Sequence, residues 1–131
     1  MTAVALVFAG IATVLHVFFF YLESIAWKQP KTWKTFGLTS QAEADTTASL
    51  AYNQGFYNLF LAIGTLVGIA LVALSDTRDT IGWTLIVFAC GSMLAAAAVL
   101  ISTGISNARA AAIQGVPALL AVVTSLVAAR S

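Results

Sequence analysis

The sequence has very few charged side chains, which account for only 8% of its 131 residues. In a typical soluble domain about a quarter of the residues are charged, so this scarcity argues against a water-soluble protein. Most of the charges fall in the segments 28–45 and 76–79, with single arginines at Arg109 and Arg130. The formal net charge of +1 gives no reason to expect nucleic acid as a partner.

Cysteine and the common catalytic motifs are also scarce. Cys90 is the single cysteine, so an intrachain disulfide is excluded, and its mid-helix position predicts a small core residue. The sequence lacks Cys-x-x-Cys, a Gly-rich phosphate loop, a cluster of metal ligands, Ser-x-x-Lys and Gly-x-Ser-x-Gly. These absences disfavour thiol-redox and nucleotide-driven chemistry.

Hydrophobic residues, in contrast, make up 60% of the chain, and the mean hydropathy is +0.96. The apolar runs between the charged segments reach the roughly 20 residues that cross a bilayer. We predict transmembrane helices at about 3–27, 46–74, 81–103 and 107–129. The four spans, with a short turn between the second and the third, predict an all-α, integral membrane four-helix bundle with up-down-up-down topology, forming a single domain over 1–131.

Lysine and arginine are distributed unevenly between the two sides of this predicted bundle. The first and third loops hold four of them: Lys28, Lys31, Lys34 and Arg109. The opposite side holds Arg78 and Arg130. The positive-inside rule therefore predicts a multi-pass protein of the cell (inner) membrane, with the loop 28–45 in the cytoplasm and both termini outside.

Polar side chains interrupt the first two predicted helices. His16 and Glu23 are seven residues apart, about two helical turns, so they lie almost eclipsed on one side of the helix. The second helix contains Tyr-Asn-Gln-Gly-Phe-Tyr-Asn over residues 52–58, near the start of an apolar run that reaches Leu74. Unpaired amides and phenols are costly in hydrocarbon, so these groups need other helices, trapped water or a ligand as partners.

Depth within the membrane can be counted from the first and third loops at ~1.5 Å per residue. Glu23 then lies ~7 Å and His16 ~18 Å inward from Lys28. Asn53 lies ~12 Å and Tyr57 ~18 Å inward from the charged end of the first loop. Gln114 of the fourth helix lies ~7 Å from Arg109 on the same side of the membrane. Three helices therefore offer polar groups to one half of the bilayer.

We predict that these side chains line one intramembrane polar cavity. The candidate acid–base residues are His16, Glu23 and Tyr57, and the candidate ligand-binding residues are Asn53, Gln54, Asn58 and Gln114. His and Glu exchange protons near neutral pH when their surroundings shift them, and phenols and amides can hold a carbonyl or oxyanion. No metal site is expected. Haem is a less favoured cofactor, because no second axial ligand accompanies His16.

A structural role competes with a functional one at several of these positions. Amides in membrane spans often serve only as hydrogen bonds between helices, which applies to Gln54 and Asn58. Ionisable groups inside spans are rare and are functional candidates by default. Glu23 is such a group, although an ion pair with Arg109 or Lys28 would explain it equally simply.

The chain resembles the domain of unknown function 1304 family of small four-span bacterial membrane proteins. The resemblance rests on three pieces of sequence that together cover nearly the whole chain. They are His16 with Phe-Phe-Tyr-Leu-Glu at 19–23 and Trp27, then Asn-Gln-Gly-Phe-Tyr-Asn at 53–58 with Leu-Ala at 61–62 and Gly64, then Gln-Gly-Val-Pro-Ala at 114–118. The resemblance implies a four-helix integral membrane protein, and it brings no activity.

Four classes of function are compatible with these features. The favoured class binds, or acts by His/Glu acid–base chemistry on, a small lipophilic molecule that reaches the cavity from the membrane lipid. The alternatives are an accessory subunit of a larger membrane complex or homo-oligomer, a proton-coupled small exporter, and a haem-binding protein. In an exporter similar to the small multidrug-resistance proteins a first-helix Glu is expected, but Glu23 lies near one end of its span.

Overall fold

A computed structural model describes residues 1–75 and 79–130. Its fold is all-α. The helices are α1 (Thr2–Phe20), which continues as a π-helical turn (Tyr21–Ile25), then α2 (Pro30–Thr35), α3 (Gln41–Leu74), α4 (Thr80–Ser102) and α5 (Ala108–Ala128). A 3-10 turn (Ile105–Asn107) precedes α5. Residues 76–78, between α3 and α4, are not among the described residues, so Arg78 of the charge count lies outside them.

Four of these helical segments are long and apolar enough to cross a bilayer, at 24, 34, 23 and 24 residues. At ~1.5 Å per residue, the shortest of them extends ~35 Å, which exceeds the ~30 Å of hydrocarbon. The protein is therefore a multi-pass membrane protein, as predicted. The longest, α3, extends ~51 Å and must continue well beyond the hydrocarbon.

The chain forms two compact units, one of Met1–Leu15 with Leu61–Ser131 and one of His16–Phe60. The first unit contains segments of all four spanning helices and confirms the predicted up-down-up-down four-helix bundle. The second contains the end of α1 with its π-helical turn, then α2 and the first half of α3. That residues 1–131 form a single domain stays a prediction.

Small side chains fill most of the core of the four-helix unit. The residues that α1 and α5 contribute to the buried hydrophobic cluster are all alanines, namely Ala5, Ala9, Ala12, Ala118, Ala121 and Ala128. They surround the larger Ile86, Cys90 and Met93 of α4, each 0% exposed, which confirms Cys90 as a core residue. Small residues let membrane helices approach closely, which matters because the lipid supplies no hydrophobic force between helices.

Two glycines bring the backbones of α3 and α4 together. A Cβ atom at Gly68 would lie 2.8 Å from the carbonyl oxygen of Gly82, and one at Gly82 would lie 2.7 Å from Val72 Cγ2. A Cβ atom at Gly64 would meet only the Cβ of Ala89, at 4.0 Å. The close approach typical of Gly-x-x-x-Gly sequences therefore depends on Gly68 far more than on Gly64.

In the second unit, α3 begins at Gln41 and not near residue 46, where we predicted its start. The reason is a capping arrangement at Ser-Gln-Ala-Glu, residues 40–43. The Glu43 backbone N–H donates to Ser40 Oγ at 3.2 Å, and the Glu43 carboxylate accepts from the Thr39 backbone N–H at 2.7 Å. The bond to Ser40 satisfies one of the N–H groups that a helix start leaves without partners, and the bond from Thr39 holds the residue before the cap against α3.

The loop between α1 and α3 is held onto the start of α3 by its tryptophans. Trp27 Nε1 donates to the carbonyl oxygen of Ala44 at 2.9 Å, and Trp33 Nε1 donates to Gln41 Oε1 at 3.2 Å. Trp33 lies in the short helix α2 and is only 6% exposed. The loop is thus an ordered platform whose tryptophans face the protein.

Candidate functional site

The candidate site begins with the π-helical turn at the end of α1. The Ala26 N–H donates to the carbonyl oxygen of Tyr21, five residues earlier, at 2.9 Å. Such widened turns are rare in helices and occur frequently at functional sites. This turn carries Glu23 and Ser24, both half-buried.

Ser24 and Gly55 bring this turn into direct contact with α3. Ser24 Oγ donates to the carbonyl oxygen of Tyr52 at 2.8 Å. A Cβ atom at Gly55 would overlap Ser24 Oγ and lie 3.0 Å from the Ser24 backbone nitrogen. Only glycine permits this approach, because every other residue carries a Cβ atom.

The contact places the carboxylate of Glu23 against the amide of Asn58. Asn58 Nδ2 donates to Glu23 Oε2 at 2.6 Å, and Asn58 is 8% exposed. Hydrogen bonds to an ionised carboxylate are short and roughly twice as strong as those between neutral groups. A carboxylate offers about four acceptor positions, and Asn58 uses one of them.

Helical periodicity separates the predicted polar residues of α3 into two stripes. Gln54 lies one turn before Asn58 and shares its stripe, so it faces the same side as the Glu23 contact. Asn53 and Tyr57 lie on another stripe, and both are exposed, as Gln54 also is. Helical periodicity therefore places Gln54 on the side of α3 that carries Asn58, and the predicted site roles of Asn53, Gln54 and Tyr57 stay predictions.

Aromatic rings occupy the other side of the contact between the π-helical turn and α3. Phe56 packs edge-to-face on Phe20 at 5.1 Å, with Tyr52 at 5.0 Å and Phe60 at 6.2 Å from the Phe56 ring. Phe56 and Asn58 are two residues apart in α3, which separates them by roughly 200° around the helix. One side of the contact is thus polar and the other aromatic.

The two remaining predicted residues have well-defined surroundings. His16 is 0% exposed, and its ring packs edge-to-face on Phe19 with 5.3 Å between centroids. Gln114 belongs to the four-helix unit, is half-buried and donates from Nε2 to the carbonyl oxygen of Met93 at 3.4 Å. Gln114 therefore links α5 to α4, and its predicted role in ligand binding stays a prediction.

Ser24 is the contributor that the sequence reasoning missed. The sequence signal that could have identified Ser24 is a small hydroxyl residue within a span, directly after the ionisable Glu23. Hydroxyl groups of this kind form hydrogen bonds to neighbouring helices. Within residues 1–75 and 79–130, no three His, Cys, Asp or Glu side chains come together in a group that could hold a metal ion.

These features define a multi-pass membrane protein with a carboxylate–amide pair at a π-helical turn. A sequence model of the family described as "Protein of unknown function (DUF1304)" matches residues 10–126, and the chain belongs to this family. Comparison with curated proteins and with solved structures gave no match. The family brings no activity, so the proposed chemistry must come from the site itself.

Proposed function

We propose that this protein binds a small lipophilic molecule from the membrane through Glu23 and Asn58. The observation that carries the proposal is the 2.6 Å hydrogen bond between these side chains, in a turn that departs from α-helical geometry. A carboxylate inside a span is costly and is a functional candidate by default. A bond from an amide orients it and leaves acceptor positions for a ligand that carries a hydrogen-bond donor.

Glu23 is the proposed acid–base group of this site, because its carboxylate is held in one orientation by Asn58. Gln54 supplies a further amide on the stripe of Asn58, suited to a carbonyl or hydroxyl of the ligand. His16 and Tyr57 are proposed as proton-transfer partners of a ligand that is long enough to extend from the Glu23–Asn58 pair to their side chains.

The proposal is tested by native mass spectrometry and a density map of the full chain purified in lipid nanodiscs. We expect a bound small molecule in the parent chain and its loss in Glu23→Gln, with thermal unfolding unchanged. Glu43→Gln is the matched control, because it changes an exposed carboxylate and Gln also serves in a capping box. If Glu23→Gln keeps the bound molecule, whether or not its thermal stability falls, Glu23 has a structural role and does not hold the ligand.

We also propose that the protein resides in the inner membrane with the loop 28–45 in the cytoplasm and both termini outside. The lysines of that loop support this orientation. Cysteines introduced at Thr35 and Ser75, both exposed, test it by labelling with a membrane-impermeant maleimide. The parent chain gives the blank, because Cys90 is 0% exposed. Ser75→Cys should react in intact cells and Thr35→Cys only after lysis; the reverse pattern would invert the orientation.

A further inference from the structure

An exposed apolar stripe runs along the second unit's part of α1 and its π-helical turn. Phe18, Tyr21 and Ile25 are 51%, 44% and 66% exposed, and their spacing places them on one side of the helix. The Phe18 and Tyr21 rings stack at 6.4 Å with an interplanar angle of 22°. Lys28 lies three residues after Ile25, in the turn that follows the end of this helix, and is exposed. The stripe is therefore apolar over most of its length and cationic at one end.

Two more lysines extend the cationic end. Lys31 and Lys34 lie three residues apart in α2, a spacing that puts them on the same side of that helix. Neither forms an ion pair with a described residue, and Lys34 Nζ lies 5.5 Å from the Trp33 ring centroid. Lys28 Nζ lies 3.9 Å from Asp45 Oδ1, and both side chains are more than half exposed, so this pair is weak.

We propose that this stripe and these lysines form a binding site for an anionic phospholipid. An acyl chain would lie against Phe18, Tyr21 and Ile25, which extend along ~10 Å of helix. The lipid phosphate would lie among the ammonium groups of Lys28, Lys31 and Lys34. The apolar stripe alone would accept any lipid, so the lysines are what select negative charge.

The ordered platform beneath the lysines distinguishes this site from a flexible basic loop. Trp27 and Trp33 anchor the loop to α3 through their indole N–H groups, and the Trp27 and Phe36 rings pack at 5.1 Å. The ammonium groups therefore start from fixed backbone positions, which reduces the ordering entropy that binding must overcome.

The test uses the full chain in a neutral detergent, titrated with dioctanoyl phosphatidylglycerol or dioctanoyl phosphatidylcholine and followed by native mass spectrometry. These probes share their acyl chains and differ in headgroup charge. We expect the anionic lipid to bind more tightly, and each lysine to contribute about fivefold. The double variant Lys31→Gln/Lys34→Gln should then weaken it about 25-fold, whereas Lys31→Arg/Lys34→Arg should retain binding.

Two further measurements sharpen the test. Asp45→Asn should tighten phosphatidylglycerol binding, because it releases Lys28 from its acidic neighbour. The Lys31→Gln/Lys34→Gln chain should keep the molecule bound at Glu23 and Asn58, so failure of this site and failure of the proposed ligand site are distinguishable. Equal affinity for the two lipids, or unchanged affinity in the Gln double variant, would overturn the proposal. Equal binding of glycerol phosphate, which lacks acyl chains, would instead show a soluble phosphate site.

Discussion

Replacement of Gly55 by alanine isolates the contact on which the candidate site depends. The new methyl group would overlap Ser24 Oγ and lie 3.0 Å from the Ser24 backbone nitrogen and 3.1 Å from its Cβ atom. Backbone atoms cannot move aside alone, so α1 and α3 must separate locally. We expect that separation to break the Ser24 hydrogen bond to Tyr52 and to lengthen the bond between Glu23 and Asn58.

The expected magnitude combines three terms. Overpacking by one methyl group typically costs ~1–3 kcal/mol, and loss of the Ser24 hydrogen bond adds ~1 kcal/mol. The higher helix propensity of alanine offsets ~1 kcal/mol. Gly55→Ala should therefore lower the free energy of unfolding by about 1–3 kcal/mol. Gly10 is the matched control, because a Cβ atom there meets nothing within 4 Å.

Reversible unfolding in mixed detergent micelles, followed by tryptophan fluorescence, measures these differences. A double-mutant cycle with Ser24→Ala adds a sharper criterion. The double variant should be more stable than the sum of the single changes implies, because the overlapping hydroxyl is then absent. If Gly55→Ala is as stable as Gly10→Ala and the two changes are additive, Gly55 does not enforce the contact.

Two other substitutions probe the core of the four-helix unit. Ser125 is 0% exposed and its hydroxyl has no hydrogen-bond partner among the described residues, so Ser125→Ala should raise unfolding stability by ~1 kcal/mol. A loss of stability would reveal a partner such as a bound water. Gly68→Ala should destabilise the chain by ~1–3 kcal/mol, because its Cβ atom would lie 2.8 Å from the carbonyl oxygen of Gly82. Gly64→Ala should be neutral or stabilising, and equal effects at the two positions would contradict the packing argument.

Hydropathy was enough to predict the four spanning helices, because a long apolar run has few alternatives to a helix in lipid. The start of α3 was less predictable. Asp-Thr-Thr at 45–47 and Ser-Gln-Ala-Glu at 40–43 are both plausible helix starts, and only the hydrogen bonds of Glu43 decide between them. The short helix α2 was not predicted either, since six residues give too little periodicity to recognise.

The sequence was enough to predict which residues belong to the candidate site, but not how their side chains are arranged. Periodicity assigned Gln54 and Asn58 to a common stripe, and the structure shows which member contacts Glu23. The π-helical turn has no recognised sequence signal, yet it determines how the side chains of Glu23 and Ser24 are directed. This turn packs against α3 at Gly55, and a local sequence pattern does not reveal tertiary contacts of this kind.

The length of α3 also changes the depth expected for the site. Counted back from Leu74, a ~30 Å hydrocarbon layer at ~1.5 Å per residue ends near residue 54. Asn58 then lies only ~6 Å inside it, which agrees with ~7 Å for Glu23 counted from Lys28. The same count gives Asn53 a position at the headgroup boundary, against ~12 Å inward when counted from the charged end of the first loop, and its depth stays a prediction.

This count places the exposed polar groups of α3 near the headgroups. Asn53 lies at the level of the headgroups, and tyrosines such as Tyr57 are enriched at that interface. Glu23 and Asn58, just beneath, are shielded by their mutual bond at 2.6 Å. A ligand of this pair therefore needs its polar group within roughly 10 Å of the headgroups and its apolar part deeper. That requirement favours an amphipathic ligand that enters the proposed site laterally from the lipid bilayer. A uniformly apolar ligand would not satisfy it.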